Sequence, residues 1–88
     1  MERAIGFYEQ RLTIARAIGD RQGEGNALGN LGNAYAALGQ VERAIGLLEQ
    51  AVRIGQEIKD PQIVRVASSQ LERLRSGQGE PRRDSGGG

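Results

Sequence analysis

The 88-residue sequence contains no cysteine, no histidine and no tryptophan. Without cysteine there is no disulfide, no thiolate metal site and no thiol nucleophile. Without histidine the commonest general base and the commonest metal ligand are both missing. Charge of one sign is also lacking. Twelve basic residues stand against eleven acidic ones, a net +1, so no strong field draws nucleic acid or a membrane surface. No apolar run approaches the ~20 residues that cross a bilayer. Met1 is followed by Glu2-Arg3-Ala4 rather than a basic run and an apolar stretch, so no secretory signal is expected. A chain this short buries only ~60% of its unfolded surface, which makes for a marginal core. The totals fit one small, soluble, intracellular helical domain, cytoplasmic, with no cofactor, no metal, no nucleic-acid partner and no membrane partner expected.

What is present is a repeat. Glu2-Arg3-Ala4-Ile5-Gly6-Phe7-Tyr8-Glu9-Gln10 returns at a 40-residue offset as Glu42-Arg43-Ala44-Ile45-Gly46-Leu47-Leu48-Glu49-Gln50, identical at seven of nine positions. Asp20 and Asp60, Ile14 and Ile54, and Ile18 and Ile58 keep the same offset. A fixed period of this length marks a stacked array, here opening in the middle of a unit.

Four helices are expected. Ile5, Tyr8, Leu12 and Ala15 recur at helical spacing over 2–18. Gly19-Asp20 breaks that helix, and Asp20 is placed to cap the next, over about 22–38. Gly39 is placed to end it in the left-handed conformation. A third helix over 41–58 carries Val41, Ala44, Ile45, Leu48 and Ile58 on one face, with Lys59 suited to its C-terminal end. Asp60-Pro61 starts the fourth, over 61–75, with Asp as cap and Pro at the first helical position. Residues 76–88, rich in glycine with Arg82 and Arg83, read as a disordered tail.

The second helix organises the rest. At about 100° per residue, Leu28, Leu31, Tyr35 and Leu38 share one side. Gly25, Gly29, Gly32 and Ala36 make a narrow side of small residues. Asn26, Asn30, Asn33 and Ala37 line a third. Gly23, Gly25, Gly29 and Gly32 each cost ~1 kcal/mol against alanine in a helix interior, so the segment is helical only where neighbours approach too closely for side chains. Each asparagine offers two donors and an acceptor, and a row of them can hold a peptide backbone whatever its side chains. No catalytic constellation is visible: Glu9, Glu49 and Glu57 have no partner base. The glycine pairs lack the Lys-Ser/Thr of a phosphate loop, so no enzyme activity is expected.

Asn30-Leu31-Gly32-Asn33-Ala34-Tyr35, then Gly39, Ala44-Ile45 and Ala51, resembles a tetratricopeptide repeat. The usual period is about 34 residues. The 40-residue form is similar to the repeats of kinesin light chains and of the scaffold proteins that regulate heterotrimeric G-proteins. WD40 arrays need β-rich segments, absent here, and HEAT arrays lack this Gly–Tyr–Gly–Ala spacing. Arg11 departs from the pattern, standing where Ala51 stands in the second copy. The resemblance implies an all-α fold, antiparallel helix hairpins of an α-solenoid, with Gly32 packed against Ala44. It implies a scaffold that binds proteins or peptides in a groove lined by Asn26, Asn30 and Asn33, joined from the last helix by Val66, Gln70 and Arg73, the arginine suited to a carboxylate. Repeats bury their apolar faces only by stacking. The alternative is therefore a homo-oligomer, or a piece of a longer array, joined through an open edge at Ile5, Phe7, Tyr8 and Leu12.

Overall fold

One turn, used three times at even spacing along the chain, sets the architecture. The structure, a computed structural model, describes residues 2–79. It holds four helices: α1 (Glu2–Ile18), α2 (Arg21–Ala37), α3 (Val41–Glu57) and α4 (Pro61–Gly79). Between them stand three residues in the left-handed region, Gly19 at φ +73°, Gly39 at +82° and Lys59 at +59°. At each, two amides turn back on the helix just ended. Gly19 N donates to Arg16 O (3.3 Å) and Asp20 N to Ala15 O (2.8 Å). Gly39 and Gln40 repeat this onto Ala36 and Tyr35, as do Lys59 and Asp60 onto Gln56 and Gly55. This is the paired Schellman closure. The residue after each turn then opens the next helix. The Asp20 carboxylate accepts from Gly23 N at 2.9 Å, and that of Asp60 from Gln62 N and Ile63 N at 3.1 and 3.3 Å. Gln40 makes no such side-chain bond.

Lys59 is therefore not a cation closing α3 but the turn residue itself, at the place Gly19 holds one repeat earlier. A side chain in this conformation costs roughly 1–2 kcal/mol, against which glycine loses up to about 1 kcal/mol of extra chain entropy. Lys59→Gly is expected to stabilise the fold by about 0.5–1 kcal/mol, read as a thermal midpoint raised by a few degrees.

Four helix ends differ from expectation. α2 spans Arg21–Ala37 rather than 22–38, and α3 ends one residue earlier, at Glu57. α4 continues past 75 to Gly79, so Ser76 to Gly79 belong to the helix and not to a tail. A nucleated helix adds one hydrogen bond per residue, and a glycine costs only ~1 kcal/mol. The rest of the expected tail, 80–88, lies outside the described residues.

The chain is all-α, an antiparallel stack. α2 packs on α1, α3 and α4, while among the described residues α1 meets neither α3 nor α4. One cluster runs through the stack, from Ile5 and Leu12 through Leu28 and Leu31 to Ile63 and Leu71. Its most enclosed large side chains are Leu28 (0% exposed) and Leu48 (1%). The glycines explain the close packing. A Cβ on Gly32 would lie 2.6 Å from Leu48 Cγ and 3.3 Å from the Ala44 carbonyl; one on Gly25 would lie 3.2 Å from both Ile54 and Ile63. The expected approach of Gly32 to Ala44 is present, and the Leu48 side chain sits closer still. The repeat extends to polar contacts. Tyr35 Oη donates to Glu9 at 3.2 Å, and Arg75, one repeat on, donates to Glu49 at 2.6 Å.

Candidate functional site

α2 and α4 stand side by side, and a groove of about 310 Å³ opens between them. One wall is the exposed side of α2, carrying Gln22, Asn26, Asn30 and Asn33. Spacings of four, four and three keep these amides on one side of the helix. The opposite wall comes from the first turns of α4, with Gln62 and a half-exposed Val66 (51%). Gly25, Gly29, Ala51 and Ala67 make a low floor between them. Gly29 is the instructive member. A Cβ there would meet nothing within 4 Å, so packing within the chain does not account for this glycine. Among the described residues the groove is lined by no cation, and the one carboxylate on its lining, Asp60, is already engaged. Its Oδ1 caps α4 and its Oδ2 accepts from Gln22 Nε2 at 3.1 Å.

The structure thus brings Asn26, Asn30, Asn33 and Val66 together. It does not bring Gln70 and Arg73 to the groove: the first two turns of α4 face the stretch from Gln22 to Asn33, and both residues lie further along α4. Gln70 is half-buried and Arg73 exposed. Sequence reasoning misses Gln22 and Gln62 as lining residues. The signal is present, since Gln22 extends the asparagine spacing by one turn and Gln62 follows it at the repeat offset.

The proposed edge also resolves differently. Ile5 (9% exposed) and Leu12 (8%) face inward and belong to the core, because α2 packs over them; Tyr8 is half-buried. Phe7 (56%) is exposed, in company with Ile14 (58%) and Ile18 (71%).

The carboxylates singled out in the sequence are all tied to neighbours. Glu9 takes the Tyr35 hydroxyl, Glu49 pairs with Arg75, and Glu57 pairs with Arg21. Sequence reasoning overlooks Glu24, which is only 8% exposed. Arg16 Nε of α1 donates to its Oε2 at 3.0 Å and Arg21 Nη1 to its Oε1 at 2.8 Å, while Arg21 also reaches Glu57 of α3. Three helices are joined around one carboxylate. Burial pushes the Glu24 carboxyl upward, but the hydrogen bonds from Arg16 and Arg21 outweigh it, and the group lies below its ordinary 4.5. A folded value below the unfolded one means stability present above about pH 4.5 and lost as pH falls through the folded value. Glu24→Gln is expected to remove that share of the acid sensitivity and to cost about 1–3 kcal/mol at neutral pH. Urea midpoints measured from pH 7 down to pH 3 (a window chosen around the carboxylate range) check both.

Helix hairpins stacked with a 40-residue period and closed by glycine contacts define an α-solenoid repeat protein. A tetratricopeptide repeat family model matches residues 1–57, and the chain belongs to the tetratricopeptide repeat family. Repeats of this family generally serve as modules that bind other proteins.

Proposed function

We propose that the chain is a non-enzymatic interaction scaffold that holds an extended, uncharged peptide segment between α2 and α4. The observation that carries this reading is the amide wall facing a low floor. Asn26, Asn30 and Asn33 stand in a row along the groove, and each can both donate to and accept from a peptide backbone. The floor at Gly29 leaves room for that backbone to approach the helix. Val66 and Ile63 supply an apolar strip on the other side for one small side chain. With no cation among the described residues that line the groove, affinity comes from neutral hydrogen bonds and apolar contact, so it should change little with salt.

The test uses peptides of zero net charge selected on the immobilised chain from a random displayed library. Asn30→Ala should weaken their binding about fivefold to tenfold, one net hydrogen bond at about 1 kcal/mol, with helicity unchanged. Calorimetry that returns equal affinities for the variant and the parent chain overturns the assignment of the groove.

Self-association is the alternative, favoured by the exposure of Phe7 on α1. It is the weaker reading, because two α1 helices placed face to face set Arg3 and Arg11 of both copies together with no carboxylate in the row.

A further inference from the structure

The α4 wall of the groove departs from the α2 wall at one place. Gln62 stands one repeat on from Gln22 and keeps the amide. Val66 stands one repeat on from Asn26 and replaces the amide with a branched aliphatic side chain. At 51% exposed, Val66 is the most open apolar side chain on the lining. That exposure does not come from the lack of a neighbouring helix. Asn26, at the same place in the repeat, is exposed with α4 packed beside α2, so this position faces the open side of the stack.

Two contacts set the register of the helices here. Gln22 Nε2 donates to Asp60 Oδ2 at 3.1 Å, and a Cβ on Gly25 would lie 3.2 Å from Ile63 Cδ1. Three residues forward on α2 is three residues forward on α4, so the two helices run in the same direction. At about 1.5 Å per residue, Gly29 then stands level with Val66 and Ala67. The two glycines differ in what lies above them. The Cβ position of Gly25 is closed by Ile54 and Ile63, both at 3.2 Å, while that of Gly29 meets nothing within 4 Å. Room for a ligand's side chain therefore lies over Gly29 and not over Gly25. Asn26 and Asn30 flank it on α2, and Val66 borders it on α4.

We infer, on the peptide-binding reading of the groove, that Val66 is its specificity-determining residue: with the space over Gly29 it takes one small aliphatic side chain of the bound peptide, alanine or valine, and turns away leucine and larger ones. The aliphatic character follows from Val66, because each methylene group buried against an apolar wall strengthens binding about fourfold. The small size follows from the floor, where Ala51 and Ala67 are 0% and 2% exposed and close the space from below. The amides of α2 hold a backbone whatever its side chains, so choice among peptides falls to α4.

The probe is a library-selected neutral peptide that binds the full chain, with each position replaced in turn by glycine, alanine, valine, leucine and phenylalanine. Affinities are read by calorimetry. On the parent chain one position should favour alanine or valine over glycine, and over leucine and phenylalanine, by about tenfold. Val66→Ala should move that preference to leucine, and Val66→Leu should move it to alanine or glycine. The leucine-to-alanine affinity ratio at that position should therefore differ at least tenfold between the two variants. Gly29→Ala, which narrows the same space from α2, should act as Val66→Leu does. Val66 is half-exposed, and alanine and leucine are better helix formers than valine, so neither change at Val66 disturbs the fold. Scans that rank the side chains alike in the parent and both Val66 variants, while the side-chain amides of Asn26, Asn30 and Asn33 still shift on binding, overturn the inference and leave the groove reading standing. A peptide that binds without shifting these amides overturns both.

Discussion

Leu48→Ala is expected to remove a large fraction of the chain's stability. Leu48 is 1% exposed and lies against Gly32, a position with no side chain of its own to move into the vacated space. Truncating a buried leucine costs about 2–5 kcal/mol, with the upper end reached where the site cannot collapse. A chain of this length has a total stability on the order of 4–13 kcal/mol, so the loss is a large fraction of the whole. A urea titration followed by helical circular dichroism should show the midpoint falling by a third or more. A midpoint within experimental error of the parent chain would mean that α3 is not clamped on α2 at Gly32.

The same substitution three positions apart on α2 should have opposite effects. A methyl group on Gly32 would sit 2.6 Å from Leu48 Cγ. Overpacking of that kind costs roughly 1–3 kcal/mol or more, and the ~1 kcal/mol gained in helix propensity recovers only part of it. Gly32→Ala is therefore expected to destabilise. Gly29→Ala meets no atom within 4 Å and should gain about 1 kcal/mol from propensity alone. Its methyl group projects into the groove, so the same variant should bind the selected peptides less tightly. A more stable chain with poorer binding would locate the reason for Gly29 in the ligand. If Gly29→Ala bound as well as the parent, the groove floor would have no part in recognition.

Much of this is legible in the sequence because a repeat exposes itself by self-comparison. The 40-residue offset and the capping residues Asp20 and Asp60 follow from the sequence itself, and the close approach at Gly32 from the resemblance to the repeat family. The asparagine row follows from helical spacing. What is not legible depends on which of two apolar arcs a neighbour covers. On α1, Ile5 and Leu12 make one arc and Phe7, Ile14 and Ile18 another, and periodicity alone does not rank them. The match of Ile14 and Ile18 to Ile54 and Ile58 is available but does not by itself say that these side chains are exposed on α1 and enclosed or half-buried on α3. Glu24 is invisible for a different reason. Its partners come from α1 and from its own first turn, Arg21 continues to α3, and a glutamate near a helix start ordinarily reads as a solvated dipole partner. The turn at Lys59 is hidden by residue type, since a lysine there suggests a helix end and only its offset from Gly19 gives away the left-handed backbone. Gln70 and Arg73 lie further along α4 than the residues that line the groove, a stagger that equal spacing in sequence does not fix.

The central claim is that the amide side of α2 holds a peptide. Its most direct test records the side-chain amide signals of Asn26, Asn30 and Asn33, with the backbone amide of Gly29, while a library-selected neutral peptide is added to the full chain. The account predicts that these four shift together, saturate at one affinity, and do so almost equally at low and high salt. Shifts absent from all four while α1 or the outer side of α4 responds, or an affinity that collapses as salt rises, would contradict it.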